Sequence, residues 1–305
     1  MSGNKRAIRP PWMAKRTLRQ AENFTRCNRR CVLKISAILL LALATALCVL
    51  AADHSREQVV KIVTQIKRAD YEGDRSALKR LYGDLTFFVE NKDLAAWVRY
   101  WRGFALWRRA INGFNDHVDT AELEEDLKQA IVEFDEAGRK DPTFADAKIG
   151  ALSCVGLLAY AVYQQDAKSP RLAELMAQAK QRRKDAEDAA PENPRLVWVM
   201  GPMIWNTPPE RGGGPAKAIE MYGKALETIR QNKTVTNDPL EPTWGEPELL
   251  MNLAWSNLNQ TTPNVTAAEQ NARSALELVP YWHYVKDILM PQIQEAMKAN
   301  RQPTK

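Results

Sequence analysis

Beyond residue 52 the chain has a single cysteine, Cys154; the other three, Cys27, Cys31 and Cys48, precede it. One thiol makes neither an intramolecular disulfide nor a zinc cage. Cys154 lies in the apolar run 151–161, where a buried small hydrophobe is expected rather than a nucleophile. Histidine is as scarce. His54, His117 and His283 are far apart, none has a ligand partner at helical spacing, and neither a metal nor a cofactor is expected. No segment alternates polar and apolar residues over a strand length, which argues against a sheet. A positive surplus is missing where it would count. Ten of the 43 basic residues and one of the 37 acidic ones fall within 1–52, leaving 33 basic against 36 acidic side chains in 53–305, a net of −3. That remainder has no excess charge to hold a polyphosphate backbone, so no nucleic-acid partner is expected.

Two domains are read: a leader, 1–52, and a folded part, 53–305. Residues 35–52 are about eighteen consecutive uncharged residues behind Arg29, Arg30 and Lys34. A charged segment, an apolar run and small residues at its end make a secretory signal. Val49-Leu50-Ala51 offers a cleavage site. Left uncleaved, the run is just long enough to span a bilayer as a signal anchor, with 1–34 in the cytoplasm. Nothing else in the chain is read as an apolar run of this length. Asn28-Arg29-Arg30-Cys31-Val32-Leu33-Lys34 resembles the twin-arginine export motif, with both arginines, the Leu and the Lys in place and Asn28 and Val32 departing from it. Either way the folded part is expected outside the cytoplasm, periplasmic or anchored at the inner membrane and facing the periplasm, touching membrane only through 35–52.

From residue 53 on, apolar residues recur at three- and four-residue spacing among strong helix formers, as in 59–66, 94–111, 123–137 and 216–229. Pro and Gly cluster between these segments, at Asp141-Pro142, 191–194, 207–215 and 238–247. The chain also aligns with itself. Ala130, Phe134, Ala137 and Pro142 follow the pattern Ala-x3-aromatic-x2-Ala-x4-Pro. Ala268, Ala272, Ala275 and Pro280 repeat it with Ala in the aromatic slot. Ala218, Tyr222 and Ala225 match three positions, as do Ala179, Ala186 and Pro191 with Arg183 in the aromatic slot. A large apolar residue followed by a small one marks the preceding helix at Ile149-Gly150, Met200-Gly201 and Leu253-Ala254, and Gly103 is a poorer match. Small residues there let helices approach closely while the aromatic fills the wider gap.

By these positions the chain resembles the tetratricopeptide superfamily over roughly 70–300. The resemblance implies an all-α, right-handed superhelical stack of helix-turn-helix hairpins that serves as an interaction scaffold, with no catalysis. Repeat ends lie 49 or 50 residues apart rather than 34, and the extra residues are assigned to links between the helices, including 164–170, 207–215 and 259–264. The Gly212–Gly214 loop entering 216–226 is similar to the T component of TRAP transporters. That likeness implies a periplasmic small-ligand accessory protein, although their lipoprotein cysteine is lacking. Gly212–Gly214 has neither the Lys-Ser/Thr nor the strand of a phosphate loop and is read as a flexible link. The acidic run 122–126 is read as a helix N-terminus interacting with the helix dipole. An all-α hydrolase would need two facing carboxylates, and none are singled out.

Tryptophan is abundant, nine of 305 residues. In the tetratricopeptide family the first helix of each hairpin lines the concave face. Counted from Gly103, those positions are Trp97, Tyr100, Phe104, Trp107 and Arg108. From Gly201 they are Arg195, Trp198, Pro202, Trp205 and Asn206. From Ala254 they include Met251 and Trp255. The expected ligand surface is therefore Trp97, Tyr100, Trp107, Arg108, Arg195, Trp198, Trp205, Asn206 and Trp255. Open, such a groove would hold a protein or peptide partner; closed, a small molecule.

Overall fold

The structure, a computed structural model, describes residues 54–231 and 238–301, and these are helical with no strand among them. Arg29, Arg30 and the apolar run 35–52 lie outside the described residues. The packing described below is that of the unit that begins at Gln58.

The helices are α1 (54–72), α2 (Arg75–Asp84), α3 (Ala95–Asn115), α4 (Thr120–Lys140), α5 (Ala145–Gln165), α6 (Pro170–Ala189), α7 (Pro194–Asn206), α8 (Pro215–Gln231), α9 (Glu246–Asn259), α10 (Val265–Leu278) and α11 (Met290–Arg301). Their starts are chemical. Asp74, Asp119, Asn193 and Asn264 each accept a backbone N–H of the first turn. Pro170, Pro194 and Pro215 open α6, α7 and α8, where a missing N–H costs nothing.

Chain neighbours pack as pairs: α3 with α4, α5 with α6, α7 with α8, α9 with α10. These are the four hairpins of the internal alignment, and its residues lie at the pair contacts. Ala130, Ala137, Ala186, Ala218, Ala268, Ala272 and Ala275 are sealed from solvent. The aromatic slot explains the glycines. The Phe134 ring wedges between α3 and α5; a Cβ on Gly103 would sit 2.9 Å from it and one on Gly150 2.5 Å. Tyr222 of α8 covers Gly201 of α7 in the same way, with a would-be Cβ 1.8 Å from its hydroxyl. Gly201→Ala should therefore cost about 1–3 kcal/mol by overpacking. Urea denaturation checks this, and adding Tyr222→Leu should recover part of the loss. An unchanged midpoint in Gly201→Ala would show that the pair is not held at this distance.

Three sequence readings change. The extra length of the α5–α6 hairpin is helix, 21 and 20 residues joined by the short link 166–169. Long α-helices keep their backbone groups paired, which a long link would not. α5 is also uncharged from Ile149 to Gln165, almost as long a run as 35–52. It is the one helix among those described that is long and apolar enough to cross a membrane, and about two thirds of that stretch is buried inside the protein. The loop at 212–214 is a hydrogen-bonded turn. Gly212 and Gly214 hold φ of +84° and +97°, the Gly214 amide donates to the Ile204 carbonyl at 2.9 Å, and a Cβ on Gly213 would meet Thr207 at 2.3 Å.

The acidic run 122–126 does more than face a helix dipole. Glu122 and Asp126 accept from Arg109, and Glu124 is held by Arg171 and Lys128. With Arg99 and Arg102 on Glu133, the arginines of α3 are matched largely by acids of α4. Cys154 is buried in α5, and burial pushes its thiol pKa well up.

Candidate functional site

Nine positions were expected to line one face, and the structure separates them. Tyr100 and Trp107 are fully buried and therefore belong to the interior. The Trp107 indole N–H donates to Ser153 Oγ at 3.1 Å, and Tyr100 Oη accepts from Trp244 Nε1 at 3.0 Å. Trp244 enters from the link before α9 and stacks edge-on against Trp107 and Trp198. Trp97 packs its ring on Phe144. Arg195 gives Nε and Nη2 to the Asp146 carboxylate and reaches the Trp244 carbonyl with Nη1. These four support the fold. The aromatic positions of α3 from Trp97 to Trp107 are covered by Phe144, Trp244 and α5, so no open aromatic groove runs along them.

The other five come together. Arg108 of α3, Trp198, Trp205 and Asn206 of α7, and Trp255 of α9 line a pocket of about 280 Å³ that opens to solvent. Its wall is completed by residues that the repeat count did not select. Asn112 and Asn115 come from α3, Tyr222 from α8, Asn252 and Ser256 from α9, and Trp282 and Tyr284 from the segment before α11. Trp205 and Trp255 meet edge to face, 5.1 Å between centroids, at the rim where Trp255 is 37% exposed. Asn112 and Asn252 lie one turn from a counted position, on the flank of the same helices. Trp282 and Tyr284 follow the last hairpin, where repeat arithmetic has nothing to say.

The floor is polar. The Arg108 side chain is 3% exposed. Its Nε donates to Asp70 Oδ1 at 2.8 Å, and its Nη2 lies 3.7 Å from Glu248 Oε1. Glu248 also accepts from the Tyr71 hydroxyl at 2.8 Å and from the Gly245 amide at 2.7 Å. Asn112 Nδ2 donates to the Asp70 carbonyl at 3.0 Å. Burial works against the Arg108 charge, but Asp70 and Glu248 more than restore it and hold its pKa above the usual value. Burial raises the Asp70 carboxyl, with Arg108 pulling the other way. One cation thus faces two carboxylates.

Two donors at this floor have no partner: Arg108 Nη1 and Trp198 Nε1. The guanidinium carbon lies 5.6 Å from the centre of the Trp198 ring. A buried unpaired donor costs about 1–3 kcal/mol. Arg108 and Trp198 both line the pocket that gathers Trp205, Trp255 and Trp282, while the two donor atoms themselves are closed to solvent.

No metal-holding group of three or more His, Cys, Asp or Glu side chains occurs among the described residues. No protein-family model and no curated protein matches this chain.

Proposed function

We propose that this chain is an exported, tetratricopeptide-like binding protein that takes a compact small ligand in the pocket between α3, α7, α9 and the segment before α11. In this reading the paired helices form a right-handed superhelical stack, the leader carries the protein to the periplasm or anchors it at the inner membrane, and no reaction is catalysed. The observation that carries the ligand assignment is the conjunction, in one solvent-open pocket, of aromatic walls with two lining residues that each hold a buried, unpartnered donor. A small ligand is favoured over an extended peptide because Trp107, Tyr100 and Trp244 fill the neighbouring stretch of α3, leaving a well rather than a groove. The role is similar to that of an accessory protein of a solute transporter, the function that the Gly212–Gly214 likeness implies.

Native mass spectrometry of the protein, purified gently from the cells that make it, tests this. A discrete small adduct is expected, lost in Trp255→Ala while the far-ultraviolet circular dichroism is unchanged. A co-purifying polypeptide in place of the adduct would move the function to a scaffold for a protein or peptide partner. A bare monomer would defeat tight binding of either kind.

A further inference from the structure

We infer that the pocket selects an uncharged ligand, one that presents a carbonyl, amide or hydroxyl oxygen to Arg108 Nη1 and Trp198 Nε1 and lays its apolar body against Trp205, Trp255 and Trp282. This rests on the small-ligand reading and adds the chemistry of the ligand.

Both unpartnered atoms are donors, so the missing group is an acceptor. A metal ion or an ammonium group would leave them as they are. The remaining choice is between a carboxylate and a neutral oxygen, and charge decides it. Arg108 is the one charged side chain in the pocket wall. Its positive charge already faces Asp70 and Glu248, both buried behind it. A ligand carboxylate would place a third negative charge beside a single cation where water is scarce and charge interactions are strong. A neutral oxygen satisfies the same N–H groups without that repulsion. Asn112, Asn115 and Asn252 add side-chain amides to the wall; each can donate and accept, which suits a hydroxyl or amide substituent.

The two donors lie beneath the surface and are not reached by solvent. Ligand entry therefore shifts a wall side chain, and the Trp205–Trp255 pair at the rim is the part with room to move. The indole N–H of Trp198 reports on the contact directly, because its nuclear magnetic resonance signal moves downfield when it gains an acceptor.

The test uses the full chain labelled with ¹⁵N at the tryptophan indoles, the Trp198 signal being assigned by its loss in Trp198→Phe. N-methylacetamide and acetate are matched probes, one neutral and one anionic. Saturable downfield movement of the Trp198 signal is expected with N-methylacetamide, and binding of acetate on the order of tenfold weaker. Trp198→Phe deletes the donor together with the five-membered ring and keeps an aromatic side chain. It should weaken N-methylacetamide on the order of tenfold; in the unliganded fold, lost packing against Trp107 and Trp244 opposes the gain from removing an unpaired buried donor. Acetate binding as well as the amide would overturn the proposal in favour of an anion site. A Trp198 signal that neither probe moves would overturn it as well. If the native adduct is nevertheless present and sensitive to Trp255→Ala, the small-ligand reading stands and the acceptor chemistry alone fails.

Discussion

Arg108→Met is expected to lower the unfolding free energy by about 3–5 kcal/mol in urea denaturation, among the largest effects of any single substitution here. The loss comes from what remains, not from the missing contact. Asp70 and Glu248 would stay buried with no cation between them, and the hydrogen bond to Asp70 Oδ1 would go. Asp70→Asn is the contrasting variant. It retains an oxygen for Arg108 Nε and the Asn112 amide, and it leaves one cation facing one carboxylate, so a loss below about 1 kcal/mol is expected. The pair also carries a pH signature. The folded pKa of Asp70 lies above its unfolded value because burial outweighs the pull of Arg108. The native state therefore takes up this proton at a higher pH than the unfolded chain. Stability linked to Asp70 grows as pH falls through the folded pKa toward about 3.9, and is lost as pH rises again. The difference between wild type and Asp70→Asn should accordingly shift in favour of wild type on acidification. Glu122 and Glu124, whose pKa values arginines lower, lose stability as pH falls below the ordinary glutamate range, and cancel in that difference. A difference that stays flat with pH would mean that Arg108 holds Asp70 ionised throughout.

Trp107→Ala and Trp205→Ala separate core from pocket on two of the hairpins, α3–α4 and α7–α8. Trp107 is fully enclosed by Phe104, Phe134, Trp198 and Trp244 and spends its N–H on Ser153. Its truncation should cost about 3–5 kcal/mol by cavity formation and leave the Ser153 hydroxyl without its donor. Trp205 is only partly buried, touches Trp255 and lines the pocket. Its loss should change the unfolding free energy by less than about 1 kcal/mol and abolish the adduct expected in native mass spectrometry. Equal destabilisation by both substitutions would make Trp205 a core residue and remove one wall of the proposed site.

Much of the architecture was legible because it depends on short-range spacing. Helix starts follow from Asp, Asn and Pro at fixed offsets. The hairpins follow from Ala and Gly recurring where helices must approach; that Phe134 packs on Gly103 and Gly150, and Tyr222 on Gly201, is decided by the packing. Links and long helices were confused at α5–α6, since Gln164, Gln165 and the flanking polar residues suit either. The acidic run showed the same limit. Its carboxylates meet arginines 13 to 47 positions away, beyond the reach of a local pattern.

For the site, the sequence by itself determined which helices carry aromatic residues and which register puts Arg108, Trp198, Trp205, Asn206 and Trp255 on comparable positions. It also determined, by the scarcity of Cys and His and the charge balance beyond residue 52, that metal and nucleic acid were poor expectations. Only the tertiary structure decided which of those aromatics are core. A tryptophan on one stripe of a helix is buried or bare according to what the neighbouring segment brings, and here Trp244, 144 residues from its partner Tyr100, fills one stretch and not the next. The unpartnered state of Arg108 Nη1 and Trp198 Nε1 is equally non-local. It depends on where distant segments place Asp70 and Glu248 around Arg108, which no periodicity along the chain records.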